Sequence, residues 1–421
     1  MGAYVGMDVH SKECVFVAQD EEGRKLVEGR VETNAEGFEL LRSRYGLPEG
    51  TKVAIETGTE AFYVARHLAR LGFEPVVVDA HEVRQKASRP NQKSDRRDAI
   101  ELCEGVRGGS YRRIVHVPDV ATQRLRETLS RRRHFVRLKT REINAVKYML
   151  RAEGLAHLAK TLKTEAAWDA LRERLSFAVD QQAHLDCHRA VWTCAQEQIR
   201  RLEEELDELS ERYAEPCRRL QAISGVGPIV SLTIVATLSD VSRFPTAKHV
   251  ASYAGLIPST YQSGERECQG RITKRGSPEL RAMLCEAAHK AASPKHPLNP
   301  FFARVCAKGG YRKATIAVAH RLLRISFAML RNGADFDIGK LGVEAGPFEV
   351  KSTRWYRMKD ASSRSPTPVS RPRSGLPGRR EAAAAKRLRE PSAPDSFPTT
   401  LGKPSRRSGF PQAATGTSSE A

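Results

Sequence analysis

The chain has 421 residues and a formal net charge of +20, with 70 Lys and Arg against 50 Asp and Glu. Such an excess points to a polyanion, either nucleic acid or an anionic membrane surface, and away from a small neutral substrate. No apolar run approaches the roughly 20 residues of a spanning helix, no signal-peptide pattern opens the chain, and eight scattered cysteines without a Cys-x-x-Cys pair speak against a disulfide framework and for a reducing cytosol.

Residues 4–9, 14–18 and 25–31 are short apolar runs, and Asp20-Glu21-Glu22-Gly23 supplies a turn between the last two. They predict a three-stranded antiparallel meander. A helix is expected over 35–45, a strand over 52–58, a helix over 61–71 and a strand over 75–79. Three meandering strands followed by alternating helix and strand is the order of a ribonuclease-H-like α/β domain. The first strand carries Asp8 among apolar neighbours, and the fourth ends on Glu56 just before Gly58. Ionised carboxylates are costly in buried strands, so both acids ask for a reason.

Lys93-Ser94-Asp95-Arg96-Arg97-Asp98-Ala99 opens a further helix. Positions i and i+3 share a helix face, so Asp95 and Asp98 point the same way. Like charges held that close repel unless a cation lies between them. The plainer alternative is a solvated helix start, where acids favour the dipole. Taken with Asp8 and Glu56 they form a four-carboxylate set of the oxygen-rich kind that suits Mg2+, which would fit a two-metal phosphoryl-transfer centre. Asp79, at another strand end, has no assigned role.

Long helices are expected from about 119 to 215. The stretch 121–150 is rich in arginine (Arg124, Arg126, Arg131, Arg132, Arg133, Arg137, with Lys139 and Arg141), which can track a phosphate backbone or simply form a solvated face. Trp192, Ala195, Ile199, Leu202, Leu206, Leu209 and Tyr213 step by three and four, the spacing of a coiled-coil seam; an intramolecular hairpin can use the same stripe. His184, Cys187, His188 and Cys194 have zinc-like spacing, but ordinary helix neighbours share it and are the preferred explanation.

Gly225 and Gly227, in Ile223-Ser224-Gly225-Val226-Gly227-Pro228, lie before an apolar helix over 229–238. The turn resembles a helix-hairpin-helix, whose N–H groups bind phosphate without regard to sequence; a plain helix connection has the same spacing. Ser263 precedes Gly264 in an expected loop with Arg266, Arg271, Lys274 and Arg275 close by. Such a serine is either a turn residue or a nucleophile whose transition state those cations stabilise. Ser277 and Pro278 are expected to start a helix reaching about 291, and a last amphipathic helix is expected over 314–330. Residues 351–421 hold 15 Lys and Arg, 5 Asp and Glu and nine prolines, the composition of a disordered basic tail carrying half of the net charge.

The set Gly6-Met7-Asp8-Val9-His10, Ile55-Glu56-Thr57-Gly58 and Lys93–Ala99, followed by Ile223–Pro228, Ser263-Gly264, Lys274-Arg275-Gly276 and Leu280-Arg281, resembles the DEDD transposases of bacterial insertion sequences, the one-ten family. The similarity runs over roughly residues 3 to 335. It implies a RuvC-like nuclease domain (1–116), a helical coiled-coil spacer (117–216), a mostly α C-terminal transposase domain (217–338) and, outside the family core, the tail (339–421). It also implies magnesium, two ions, on Asp8, Glu56, Asp95 and Asp98, and a covalent DNA linkage to Ser263. The implied partners are the DNA of element ends and target, a structured guide RNA in some members, and further copies of the chain, as dimer or tetramer, in a bacterial, nucleoid-associated setting. Where a second serine often precedes the catalytic one, this chain has Gln262.

Three other functions compete. A hydrolytic junction endonuclease would use the four acids alone. A phosphotransferase of the actin and sugar-kinase type would need a glycine-rich loop after the first acid, and Val9-His10-Ser11-Lys12 has none. A non-enzymatic DNA-binding remnant has no use for four intact acids.

Overall fold

The computed structural model describes residues 2–87, 94–160, 162–175, 179–263 and 266–341. The expected disordered tail lies, from residue 342 onward, outside the described residues. In chain order the first part comprises β1 (Tyr4–Val9), β2 (Glu13–Gln19), β3 (Lys25–Glu32), α1 (Ala35–Ser43), β4 (Lys52–Glu56), α2 (Ala61–Arg70), β5 (Glu74–Val78), α3 (Ala80–Lys86) and α4 (Asp95–Arg107). The five strands form one sheet in the order β3-β2-β1-β4-β5. β1, β2 and β3 meander antiparallel, while β4 pairs parallel with both β1 and β5.

Strand periodicity divides the sheet into two faces. Val5 and Met7 of β1, Phe16 of β2 and Ile55 of β4 pack with Phe38, Leu41, Val64 and Leu68 of α1 and α2. On the opposite face Val15 and Val17 meet Ala99 of α4, and Ala54 and Val78 meet Leu102 and Val83. Both faces are covered, which is why these strands read as nearly continuous apolar runs.

α5 (Val120–Ala152), α6 (Glu165–Arg174) and α7 (Val179–Ser210) follow. Arg124 pairs with Glu205, Lys139 with Gln196 and Glu142 with His188, so α5 and α7 run antiparallel. Trp192, Ala195, Ile199 and Leu206 of the expected seam are buried. Trp192 packs with Val146 and Leu150 of α5 and with Trp168 of α6. The stripe is therefore used within one chain, as a helical hairpin. At the other end of the pair, Leu125, Leu129 and Leu206 belong to the core of the C-terminal helices.

That last region holds α8 (Ala214–Gln221), α9 (Pro228–Leu238), α10 (Ala247–Tyr253), β6 (Pro258–Ser263), β7 (Arg266–Ile272), α11 (Pro278–His289) and α12 (Asn299–Asn332). α9 is buried all round from Ser231 to Leu238. Its Ser231 and Thr233 hydroxyls donate back to the Pro228 and Ile229 carbonyls at 2.9 and 2.7 Å, and Ser231 Oγ also accepts from Gln221 Nε2 at 3.2 Å. α12 is two helical pieces joined at Gly310 (φ 78°, ψ 169°); the piece after it contains the helix expected over 314–330, and the piece before it, from Asn299, is not among the expected elements. The segment expected as a loop around Ser263 is instead an antiparallel β-hairpin. Among the described residues, no helix is long and apolar enough to cross a membrane.

Candidate active site

The site is set by the closest approach of a helix to the sheet. A Cβ built on Gly6 would lie 2.0 Å from the Ala99 carbonyl oxygen and 2.3 Å from the Cys103 backbone nitrogen, so only glycine lets α4 rest on β1. Cys103 Sγ donates to the Tyr4 carbonyl at 3.2 Å, and burial pushes that thiol up to about 11, which keeps it a protonated donor. Ser94 caps the helix, its hydroxyl accepting from Arg97 N at 3.3 Å. Arg96 pairs with Glu28 of β3 at 2.8 Å and is the main cause holding that carboxyl below its usual range. This arginine thereby braces α4 against the meander.

Asp8 lies two residues beyond Gly6 on the same face of β1, and Asp95 lies one helical turn before Ala99. The two acids meet across the gap through a histidine. His10 Nε2 is 3.2 Å from Asp8 Oδ2 and 3.4 Å from Asp95 Oδ1. One ligand atom from each of Asp8, His10 and Asp95 falls within 4.8 Å of the others, the one such group of possible metal ligands among the described residues. His10 itself is fixed by its backbone: its N–H donates to Glu13 O at 3.1 Å and its carbonyl accepts from Thr33 Oγ1 at 2.7 Å. The sequence held a signal for it, since Asp8-Val9-His10 puts both side chains on one strand face, but nothing in its composition separated it from a surface histidine.

Glu56 closes β4. Met7 stands opposite Ile55 in the parallel β1–β4 ladder, so Glu56 follows beside Asp8, on the face where Ala54 meets Leu102. Asp98 occupies the first turn of α4 with Asp95. The register thus sets Glu56 beside Asp8 at the carboxyl ends of β1 and β4, the usual position of ligand sites in sheets of this kind, while the ligand atoms within 4.8 Å of one another are those of Asp8, His10 and Asp95. Lys93 lies outside the described residues.

Asp79 has a structural job. Its carboxylate accepts from Glu82 N at 3.1 Å, capping α3, and sits 3.8 Å from Arg113. Asp79→Ala is expected to cost about 1 kcal/mol in thermal unfolding while leaving DNA cleavage at the wild-type rate. A loss of cleavage at unchanged stability would make it a member of the site.

Other sequence candidates resolve differently. His188 Nδ1 lies 2.7 Å from Glu142 Oε2, and Cys187 and Cys194 are exposed free thiols, so the zinc-like spacing reflects helix neighbours. Most of the α5 cations are engaged within the chain: Arg124 with Glu205, Arg132 with Glu203, Arg133 with Glu279, and Arg126 with the Ala236 and Thr237 carbonyls. Gly225 has φ +88°, and a Cβ there would meet the Ala287 carbonyl at 2.9 Å, while Gly227 faces open space. His296 Nε2 holds the turn, 2.9 Å from the Ser224 carbonyl oxygen.

Ser263 ends β6, paired in register with Arg266 of β7. The side chains of both, and residues 264–265, lie outside the described residues. Arg271 near the end of β7, and Lys274 and Arg275 beyond the hairpin, are exposed. Gly255 and Gly276 let this loop lie against residues 253–255, and Arg281 clamps it by donating to the Ala254, Arg275 and Gly276 carbonyls at 2.9–3.1 Å. The hairpin and the acids thus stand on separate elements with separate cores.

A DEDD transposase family, described as transposase, matches residues 5–153, and the transposase IS116/IS110/IS902 family matches residues 217–302. The chain is 27% identical over 257 residues to the transposase for insertion sequence element IS1111A of Coxiella burnetii, covering 59% of this chain and 70% of that one. To a probable family 20 transposase of Pseudomonas aeruginosa it is 27% identical over 295 residues, 66% and 83% of the two chains. A pilin gene-inverting protein of Moraxella lacunata is 36% identical over 121 residues, 28% of this chain and 38% of the relative.

Proposed function

We propose that this chain, which belongs to the DEDD transposases of the IS110 type and is a DNA transposase/recombinase, cuts and rejoins DNA with the acids Asp8, Glu56, Asp95 and Asp98 and the nucleophile Ser263. The observation that carries the proposal is the convergence of Asp8 and Asp95 where α4 crosses Gly6. The strand order, with three antiparallel strands feeding a parallel pair, supports a ribonuclease-H-like, RuvC-like domain over 1–116. The helical hairpin then corresponds to the spacer (117–216) and the last helices and β-hairpin to the transposase domain (217–338).

The donor set fits a hard divalent cation: the Asp8 carboxylate on β1 and the Asp95 carboxylate at the start of α4 already have ligand atoms, with one of His10, within 4.8 Å of one another. Two Mg2+ ions are proposed there, held by Asp8, Glu56, Asp95 and Asp98. Bound divalent ions supply charge neutralisation at a reacting phosphodiester. The protein's own part is to hold those oxygens rigidly and to present Ser263 on the β-hairpin. Attack by Ser263 Oγ forms an O–P bond to DNA as the bond from phosphorus to the departing sugar oxygen breaks, and that oxygen takes up a proton. Arg266, Arg271, Lys274 and Arg275 would steady the phosphate, and the Gly225–Gly227 turn would contact backbone phosphates. Because acids and serine stand on separate elements, we propose further that a site is completed between copies of the chain, with DNA ends and, where used, a structured RNA as partners.

The test is a denaturant-stable protein–DNA adduct. Ser263→Ala should abolish it, and Ser259→Ala, which alters a hydroxyl bonded to the Arg271 carbonyl at 3.1 Å, should retain it. Cleavage at the wild-type rate in Ser263→Ala would favour hydrolysis by the acids alone.

A further inference from the structure

Within the acid pocket one group has no place in a four-carboxylate scheme, and that is His10. Its Nε2 is shielded from solvent yet makes no properly directed hydrogen bond, although Asp8 Oδ2 and Asp95 Oδ1 are 3.2 and 3.4 Å away. A charge-assisted N–H···O contact would be shorter, about 2.7–2.9 Å, and straighter. The observed separations are instead those of neighbouring ligands on one octahedral ion, which stand about 3 Å apart when each bond is about 2.1 Å. The backbone supports the same conclusion, since His10 is held at both its N–H and its carbonyl just past the end of β1. A ring so placed does not need to be recruited from elsewhere.

We propose that His10 is a nitrogen ligand of the metal centre, joining Asp8 and Asp95, so that the site is a mixed nitrogen–oxygen one. This rests on the metal-dependent reading proposed above. Its consequence is selectivity: imidazole suits transition ions, and Mn2+, though also at home among oxygens, accepts a nitrogen ligand more readily than the harder Mg2+. The site should then bind Mn2+ at least about tenfold more tightly than Mg2+, the preference expected to follow the nitrogen donor.

The test uses the full chain without DNA and Mn2+ as the probe. Mn2+ binding is followed by electron paramagnetic resonance, Mg2+ is titrated as competitor, and electron spin echo modulation reports any directly bound 14N. Wild type should show the nitrogen coupling and the Mn2+ preference. His10→Gln should still bind Mn2+ but lose the coupling and most of the preference. Asp8→Asn should lose the binding itself. Bound Mn2+ with no nitrogen coupling in wild type, or a coupling that survives His10→Gln, would overturn the assignment of His10 and leave the proposed function standing. No Mn2+ binding sensitive to Asp8→Asn would overturn both. The nitrogen coupling is read in wild type and needs no variant, so a poorly folding His10→Gln would not remove the test.

Discussion

Gly6→Ala is expected to lower the thermal midpoint by several degrees and to depress metal-dependent DNA cleavage by at least about 100-fold. The added methyl group would sit 2.0 Å from the Ala99 carbonyl oxygen and 2.3 Å from the Cys103 nitrogen. Both are backbone atoms inside a helix, so neither can swing aside as a side chain could. Overpacking of a tight interior costs about 1–3 kcal/mol, and here the upper end applies, because relief requires moving α4 as a body. In a chain this size each kcal/mol lowers the midpoint by about 1–2 °C. Any such movement carries Asp95 and Asp98 away from Asp8, and misplacement by about 1 Å can cost about 100-fold in rate. Cleavage should therefore be compared at a temperature where both proteins are folded by circular dichroism. A folded Gly6→Ala protein with an unchanged midpoint and full cleavage would show that α4 does not rest on β1 in this way.

That contact also shows what the sequence could and could not disclose. The three meander strands, α1, β4, α2 and β5 were legible because alternation and turn residues declare them locally, and the acids stood out because an ionised group in an apolar strand is anomalous. The N-cap and N1 proline of α11 were legible for the same local reason, with Ser277 accepting from Leu280 N at 3.2 Å. What distinguishes Gly6 from any other strand glycine is a helix that arrives ninety residues later, and no local pattern carries that information. His10 was missed likewise, since its significance comes from Asp95 on another element. The hairpin β6–β7 reads as loop in the sequence because Gln262 and Ser263 have weak strand preference, which pairing with β7 overrides. Conversely the arginines of α5 looked like a DNA-binding face because sequence shows charge without partners. Glu203, Glu205 and Glu279, which neutralise several of them, come from α7 and α11.

The largest effect is expected from Asp8→Asn, and it is twofold. Amide for carboxylate preserves shape and keeps an oxygen toward His10, but removes one negative charge from a pocket whose acids repel each other when no cation is bound. Stability without metal should therefore not fall. Saturating metal raises the stability of a binding-competent fold by about 1.4 kcal/mol at ten times Kd, about 2 °C in a chain of this size. Asp8→Asn should lose that increment, and cleavage should drop by about 1,000-fold or more, equivalent to about 4 kcal/mol of transition-state stabilisation. The combination separates function from architecture: an acid kept for folding would lower the midpoint in the absence of metal, whereas an acid kept for catalysis is neutral or unfavourable until the ion binds. Melting curves with and without Mg2+ and Mn2+, read beside a DNA-nicking assay, decide between them. A fall of several degrees in the metal-free protein would make Asp8 a structural residue, and undiminished nicking would remove the acid pocket from the chemistry altogether.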